Sequence, residues 1–188
     1  MISTSELKRG VSFEMDGDLF RLLEFNHIKM GRGSAQVRMK LRNLRTGATI
    51  ERTVQAGERF QRARMDSHTV QFLYADDDTY HFMNTETFDQ TAIPASLIGD
   101  DTKFLKENME VELLSYGDEP IALELPPNVE LRITYTEPGI RGDTASGTTK
   151  PATMETGAVV LVPLFINQDE VIRVDTRTGQ YIERVSRA

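Results

Sequence analysis

The chain has 188 residues, of which 39% are hydrophobic, and its 22 Lys and Arg against 29 Asp and Glu give a formal net charge of −7. It contains no cysteine, which excludes disulfide bonds and thiolate metal sites. The longest apolar stretch, 158–166, is too short to cross a bilayer, and no secretory signal is visible, so we expect a cytoplasmic protein without a membrane partner.

The charge is segregated along the chain. Residues 1–64 have 13 Lys and Arg against 7 Asp and Glu, residues 65–127 have 2 against 14, and residues 128–188 have 7 against 8. Blocks of about sixty residues lie at the lower end of the usual range of domain sizes, and we predict three domains with these bounds. Because local field steers a polyanion, the basic first block favours RNA binding, whereas the acidic second block would repel RNA.

The first block predicts a small antiparallel barrel of the SH3-like type. Residues 13–15 and 19–23 flank an Asp-Gly turn and predict a hairpin. From 36 to 44 cationic and apolar residues alternate, and 49–54 pairs back onto this strand. Three cations share the outer face of the alternating strand: Arg38, Lys40 and Arg42. We therefore expect a cationic sheet face that contacts the RNA backbone.

Between these strands, the run Lys29-Met30-Gly31-Arg32-Gly33-Ser34-Ala35 places one arginine between two glycines at a predicted hairpin tip. No acidic residue occurs between Glu24 and Glu51. Glycine permits close backbone approach, and a guanidinium matches phosphate in a planar fork. An exposed tip with a solvated arginine is the alternative for an isolated Gly-Arg-Gly. The basic surroundings favour a probe for phosphate-rich sites, with Arg32 at the tip and Lys29, Gly31 and Gly33 supporting it.

The second block predicts an OB-type barrel with one short helix. Acidic residues at the start of 100–108 and lysines further on complement a helix dipole there. Strands are predicted at 69–74, 79–84, 109–114 and 120–125.

The third block predicts a second OB-type barrel after the Pro126-Pro127 junction. A Gly, Ser and Thr-rich loop is predicted from Pro138 to Pro151. Strands are predicted at 129–135, 158–162, 170–175 and 180–185. The fold class is therefore all-β, with three small barrels.

Motifs for catalysis and metal binding are missing from the sequence. His27, His68 and His81 do not have the spacing of a metal site, and 76–78 lacks the pattern of a calcium loop. No phosphate-binding loop and no nucleophile elbow occurs. We therefore expect no metal, no cofactor and no enzymatic activity.

Short motifs occur in order from end to end of the chain. Leu7-Lys8-Arg9-Gly10 and Asp16-Gly17 come first, followed by 29–33. Further motifs occur at 142–144, 150–153, 155–157, 162–165 and 175–181. Together these motifs resemble bacterial elongation factor P: the first two resemble the opening of that family, 29–33 matches its functional loop, and the others resemble its C-terminal signature.

Two departures from the family pattern concern modification and a turn. Many members have Pro-Gly-Lys-Gly with a β-lysylated lysine, and members with a rhamnosylated arginine usually continue with Asn-Ala, whereas this chain has Met30, Arg32, Gly33 and Ser34. We expect Arg32 to be unmodified, a modifying enzyme that acts on Arg32 being the alternative. Asp169 replaces a usual glycine, which we expect to alter only a hairpin turn.

The resemblance implies a monomeric translation elongation factor that binds the 70S ribosome beside the peptidyl-tRNA, contacts ribosomal RNA and relieves stalling at consecutive prolines. It places Arg32 at the tRNA acceptor end. It also assigns an exit-site and codon-side role to four residues: Arg141, Gly142, Asp143 and Thr144.

Two other classes of protein are alternatives to a translation elongation factor. A generic OB-fold protein that binds single-stranded nucleic acid needs aromatic platforms for the bases, and the strand that carries Arg38, Lys40 and Arg42 has no aromatic residue. An adaptor that binds protein through the acidic middle block leaves the Arg32 segment without a role.

Overall fold

A computed structural model describes residues 1–28, 33, 35–139 and 148–186. Within these ranges the prediction of an all-β chain is confirmed, because the strands form three sheets and helices are short. Contacts divide the chain into two compact units, Met1–His68 with Leu113–Ala122 and Thr69–Glu112 with Leu123–Ala188. Seven predicted site residues lie outside the described residues: Lys29, Gly31, Arg32, Arg141, Gly142, Asp143 and Thr144.

The first sheet has the strand order β1-β6-β2-β3-β4-β5. Its strands are β1 (Ile2–Ser3), β2 (Ser12–Met15), β3 (Asp18–Ile28), β4 (Gln36–Asn43), β5 (Thr49–Gln55) and β6 (Arg59–Arg62), with a 3-10 helix at Thr4–Glu6. Asp16 and Gly17 have φ of 52° and 83°, the left-handed conformation that a tight hairpin turn requires, so the predicted Asp-Gly turn is confirmed.

The predicted alternation of β4 is also confirmed. Val37, Met39 and Leu41 are fully buried, whereas the cations between them are exposed. The buried side chains belong to the core of this sheet together with Phe13 and Leu22. β1 and β6 were not predicted, because two and four residues are too few for a periodic pattern to be read.

The second sheet has the order β11-β10-β7-β8-β9. Its strands are β7 (Asp66–Asp76), β8 (Thr79–Asn84), β9 (Gln90–Pro94), β10 (Glu110–Tyr116) and β11 (Glu119–Glu124).

The helix prediction for 100–108 is wrong in type and extent. A short α-helix, α1 (Ala95–Ile98), begins after Pro94, and a 3-10 helix follows at Gly99–Phe104. Gly99 has a φ of 69°, which ends α1, so the acidic residues after it begin a separate turn. The chain then turns towards β10, and just before that strand the backbone N–H of Asn108 donates to the carbonyl oxygen of Phe72 on β7 at 2.8 Å. The hydrogen bond to β7 thus holds the end of 100–108 in a non-helical conformation, although the charges of this segment are typical of a helix.

The third sheet has the order β14-β13-β12-β15-β16. Its strands are β12 (Asn128–Thr136), β13 (Thr149–Met154), β14 (Val159–Pro163), β15 (Val171–Asp175) and β16 (Tyr181–Ser186). The predicted loop from Pro138 to Pro151 is therefore too long, because its last three residues belong to β13. Lys150, Ala152 and Met154 occupy the alternating buried positions of that strand. Because one of the three is a lysine, the alternation of apolar residues could not be recognised from the sequence.

The helices of the described ranges are all too short or too polar to cross a lipid bilayer. The same ranges contain no group of three or more His, Asp or Glu side chains that could hold a metal ion.

Candidate nucleic-acid interface

The tip segment, residues 29–35, connects the two longest paired strands of the first sheet. β3 and β4 pair antiparallel up to Ile28 and Gln36, and Gln36 also pairs with Gln55 on β5. Beyond that pair, the N–H of Ala56 donates to the carbonyl oxygen of Ala35 at 2.8 Å. The ladder therefore continues on both sides of β4 to the base of the tip segment. Gly33 is exposed.

The exposed face of β4 is less cationic than the sequence predicts, because carboxylates lie on neighbouring strands. The Nε of Arg38 donates to Glu51 at 3.1 Å, and its Nη2 donates to the same oxygen. Lys40 lies directly opposite Glu51 on β5 and opposite Glu24 on β3. Both members of the Arg38–Glu51 pair are more than half exposed, so the pair stabilises the fold by about 1 kcal/mol at most and phosphate can replace it at little cost.

Arg42 has a different electrostatic environment at the other end of this face. It lies opposite Arg21 on β3 and opposite Thr49 on β5. Like charges directly opposite each other are unfavourable in a sheet unless an anion or solvent separates them. Arg21 was missed by the sequence analysis, because a register shift between Leu22 and Glu24 hides which β3 residues face outward.

Other cations of the first unit have structural partners. Arg45 binds Glu119 with two hydrogen bonds, from Nε at 2.9 Å and from Nη2 at 3.1 Å, and its Nη1 donates to the carbonyl oxygen of Gly17. The hydrogen bonds with Glu119 raise the pKa of Arg45, and those with Arg45 lower the pKa of Glu119. Arg52 pairs with Asp16 at 3.2 Å. The formal charge of the first block therefore overstates the positive charge that is available to a partner.

The long connection, residues 137–148, joins β12 to β13, and side chains hold its two ends together. The Nζ of Lys150 donates to the carbonyl oxygen of Glu137 at 2.6 Å, and the hydroxyl of Thr136 donates to that of Pro151 at 3.0 Å. Lys150 is 7% exposed. A Cβ at Gly139 would lie 2.4 Å from the carbonyl oxygen of Leu164, so only glycine fits there. The segment that carries the predicted codon-side residues thus has fixed ends.

Three family models match consecutive parts of the chain. They are the elongation factor P KOW-like domain at residues 3–60, the elongation factor P OB domain at residues 65–123 and the elongation factor P C-terminal model at residues 129–184.

Curated relatives match over nearly the full length. Elongation factor P of Moorella thermoacetica is 53% identical over 184 residues, which cover 98% of this chain and 100% of the relative. Elongation factor P of Pelotomaculum thermopropionicum is 51% identical over 185 residues, with the same coverage.

Solved structures show a similar fold at low identity. A eukaryotic translation initiation factor 5A from Methanococcus jannaschii has a TM-score of 0.54 at 18% identity and covers 66% of this chain and 90% of its own. A translation initiation factor eIF-5A family protein from Naegleria fowleri has a TM-score of 0.52 at 14% identity and covers 66% of this chain and 96% of its own.

Proposed function

The chain belongs to the elongation factor P family, and from this premise we propose that it is a translation elongation factor that binds the 70S ribosome beside the peptidyl-tRNA and relieves stalling at consecutive prolines. The proposed partners are the peptidyl-tRNA and ribosomal RNA. The proposed form is a cytoplasmic monomer with domains at 1–64, 65–127 and 128–188.

The observation that carries the proposal is the β3–β4 hairpin, which supports the tip segment from both sides. Arg32 lies between two glycines in that segment, and a guanidinium can bind two phosphate oxygens at once. We assign to Arg32 the contact with the acceptor end of the tRNA, and to Lys29, Gly31 and Gly33 its support. Arg38, Lys40 and Arg42 are assigned to RNA phosphates, Arg38 by exchanging Glu51 for a phosphate.

The proposed mechanism needs no acid or base from the protein. Proline is a poor participant in peptide-bond formation because its ring fixes φ and crowds its nitrogen. Holding the acceptor end in the attack geometry lowers the orientational cost of the reaction that the ribosome catalyses. A small gain in orientation raises the rate for prolines most, because other residues reach that geometry unaided.

The long connection is assigned a recognition role on the exit-site and codon side. Arg141 offers a forked contact, Gly142 permits close backbone approach and Asp143 can accept from a nucleobase amine. The contacts of Lys150 and Gly139 fix the two ends of this segment and support this role, since a segment with fixed ends loses less conformational entropy when it binds.

The competing function, general binding of single-stranded nucleic acid, would use exposed aromatic side chains. Tyr74, which is 49% exposed, stacks on His81 with ring centroids 4.5 Å apart. This pair lies beside Asp76, Asp77 and Asp78, which repel a polyanion. The aromatic pair therefore does not favour the competing function.

The test is cell-free translation of matched reporters with and without three consecutive prolines, in extract depleted of its own factor. We expect the added protein to restore full-length product from the triproline reporter and to leave its partner unchanged. Equal stimulation of both reporters would contradict stall rescue and would favour a general RNA-binding role.

A further inference from the structure

The first unit contains a second basic site, away from the tip segment, which we call the N-terminal cationic cleft. It has a volume of about 550 Å³ and is lined by Met1, Ile2, Glu6, Lys8, Arg9, Val11 and Arg62. Three of these residues are cations and one is a carboxylate. The three cations are exposed.

Hydrogen bonds and strand pairing fix the backbone that carries the three cations of the cleft. Gly10 donates its N–H to the carbonyl oxygen of Leu22 at 2.8 Å, and Val11 donates to Lys8 at 3.2 Å, which fixes the turn that carries Lys8 and Arg9. Arg62 ends β6 opposite Phe13, a fully buried residue of the core. The backbone that carries the three charges is thus already ordered before any ligand binds, which lowers the entropic cost of binding.

The positive charge of the cleft is available to a ligand. Over the described ranges, Lys8, Arg9 and Arg62 make no salt bridge, in contrast to Arg38, Arg45 and Arg52 of the same unit. The carboxylate of Glu6 is engaged within its own turn, since it accepts from the N–H of Ser3 at 2.9 Å and from its hydroxyl at 3.0 Å. The cleft therefore keeps a local excess of positive charge.

We propose that the N-terminal cationic cleft binds backbone phosphates of RNA and forms a second anchoring site of the first unit. Lys8 and Arg9 lie in the turn before β2 and Arg62 ends β6, so the cations come from two separate elements and can contact different phosphates of one strand. The lining contains no aromatic side chain on which a base could stack, so the contact is with the backbone. This inference rests on the proposed function only for the identity of the RNA.

The experiment compares a triple variant, Lys8→Gln with Arg9→Gln and Arg62→Gln, with a control that removes the same charge elsewhere, Arg52→Gln with Arg132→Gln and Arg177→Gln. The full-length protein binds protein-free ribosomal RNA across a range of salt concentrations. We expect the cleft variant to lower the slope of log affinity against log salt by about two units. The control is expected to change the slope by less than half of that amount. Equal slopes for the two variants would overturn the proposal.

A charge-preserving variant and two competitors separate phosphate recognition from other causes. Lys8→Arg with Arg9→Lys and Arg62→Lys should retain the parent slope, and its failure to do so would show that the effect is structural. Inorganic tripolyphosphate should compete weakly and RNA strongly, because one strand fills the cleft with several phosphates. Polyglutamate that competed as well as RNA, or tripolyphosphate that bound the cleft while the RNA slope stayed unchanged, would overturn the assignment to RNA.

The readout also separates this proposal from the proposed function. Loss of the slope difference while wild-type protein still rescues triproline translation would refute only the cleft. A slope difference without any rescue by wild-type protein would refute only the function in translation.

Discussion

The tip segment (29–35) and the long connection (137–148) each carry an arginine beside glycine, but their described ends are held by different forces. The tip segment follows a ladder of backbone hydrogen bonds that continues on both sides of β4. The long connection depends on two side chains, Lys150 and Thr136, and on close packing at Gly139. Backbone ladders tolerate substitution, whereas a side-chain contact is lost with one mutation. We therefore expect residues inside the two segments to contact RNA and the residues at their ends to position them.

The largest effect is expected at the tip segment. Arg32→Ala should abolish rescue of a triproline reporter, and, because the sequence predicts an exposed hairpin tip, the free energy of unfolding should change by less than about 0.5 kcal/mol. Arg32→Lys should also be impaired, because an ammonium cannot copy a planar fork. Reporter translation and thermal melts measure the two effects.

The matched control is Arg52→Ala, which removes an arginine of the same sheet that pairs with Asp16. It should retain rescue. Full activity of Arg32→Ala on the triproline reporter would contradict the role of the tip segment.

A smaller effect is expected when the long connection loses its polar residues. Replacing Gly142-Asp143-Thr144 with three alanines should reduce rescue by shortening the residence of the protein on stalled ribosomes. Raising the protein concentration should restore part of the activity, unlike with Arg32→Ala. Residence time is measured by chase with unlabelled protein, and rescue equal to that of the parent at every concentration would remove this segment from recognition.

Loss of the hydrogen bond between Lys150 and Glu137, which holds the ends of the long connection, should have a still smaller effect on rescue. Lys150→Met keeps much of the buried aliphatic volume but removes the hydrogen bond to Glu137, so it should lower the free energy of unfolding by about 1 kcal/mol. Rescue should fall less than with the triple alanine variant. Lys103→Met, at an exposed lysine, serves as the control. Equal melting curves for the two variants would show that the hydrogen bond between Lys150 and Glu137 has no structural effect.

The smallest effect is expected at Asp169, where the family resemblance leads us to expect a glycine. Asp169 is exposed and has a φ of 67°, and its N–H donates to the carbonyl oxygen of Ile133 at 2.9 Å. Glycine adopts this conformation without steric strain, so Asp169→Gly should stabilise the protein by about 1 kcal/mol or less. Rescue should stay at the parent level. Chemical denaturation measures the change, and destabilisation would indicate a further role for this carboxylate.

Local patterns predicted much of the fold. The Asp16-Gly17 turn and the alternation of β4 depend on neighbouring residues, so the sequence alone revealed them. β13 was not predicted, because Lys150 and Pro151 look unlike a strand, although a carbonyl oxygen satisfies the buried lysine.

The charge environment of the candidate site could be predicted only in part. The pairing of Arg38 with Glu51 depends on how β5 aligns with β4, which composition does not encode. The N-terminal cationic cleft combines Lys8 and Arg9 with Arg62, which are more than fifty residues apart in sequence, so only the folded sheet reveals it. The family motif around Arg32 was visible directly, because a contiguous segment carries it.

The central claim is that the protein accelerates peptide-bond formation selectively between prolines. Its most direct test is the single-turnover rate of that step on purified ribosomes that carry a peptidyl-tRNA ending in proline, with prolyl-tRNA or phenylalanyl-tRNA as acceptor. We expect the protein to raise the rate with prolyl-tRNA by about tenfold or more, to leave the rate with phenylalanyl-tRNA nearly unchanged, and to lose the effect with Arg32→Ala. The same acceleration with both acceptors, or undiminished acceleration by Arg32→Ala, would contradict it.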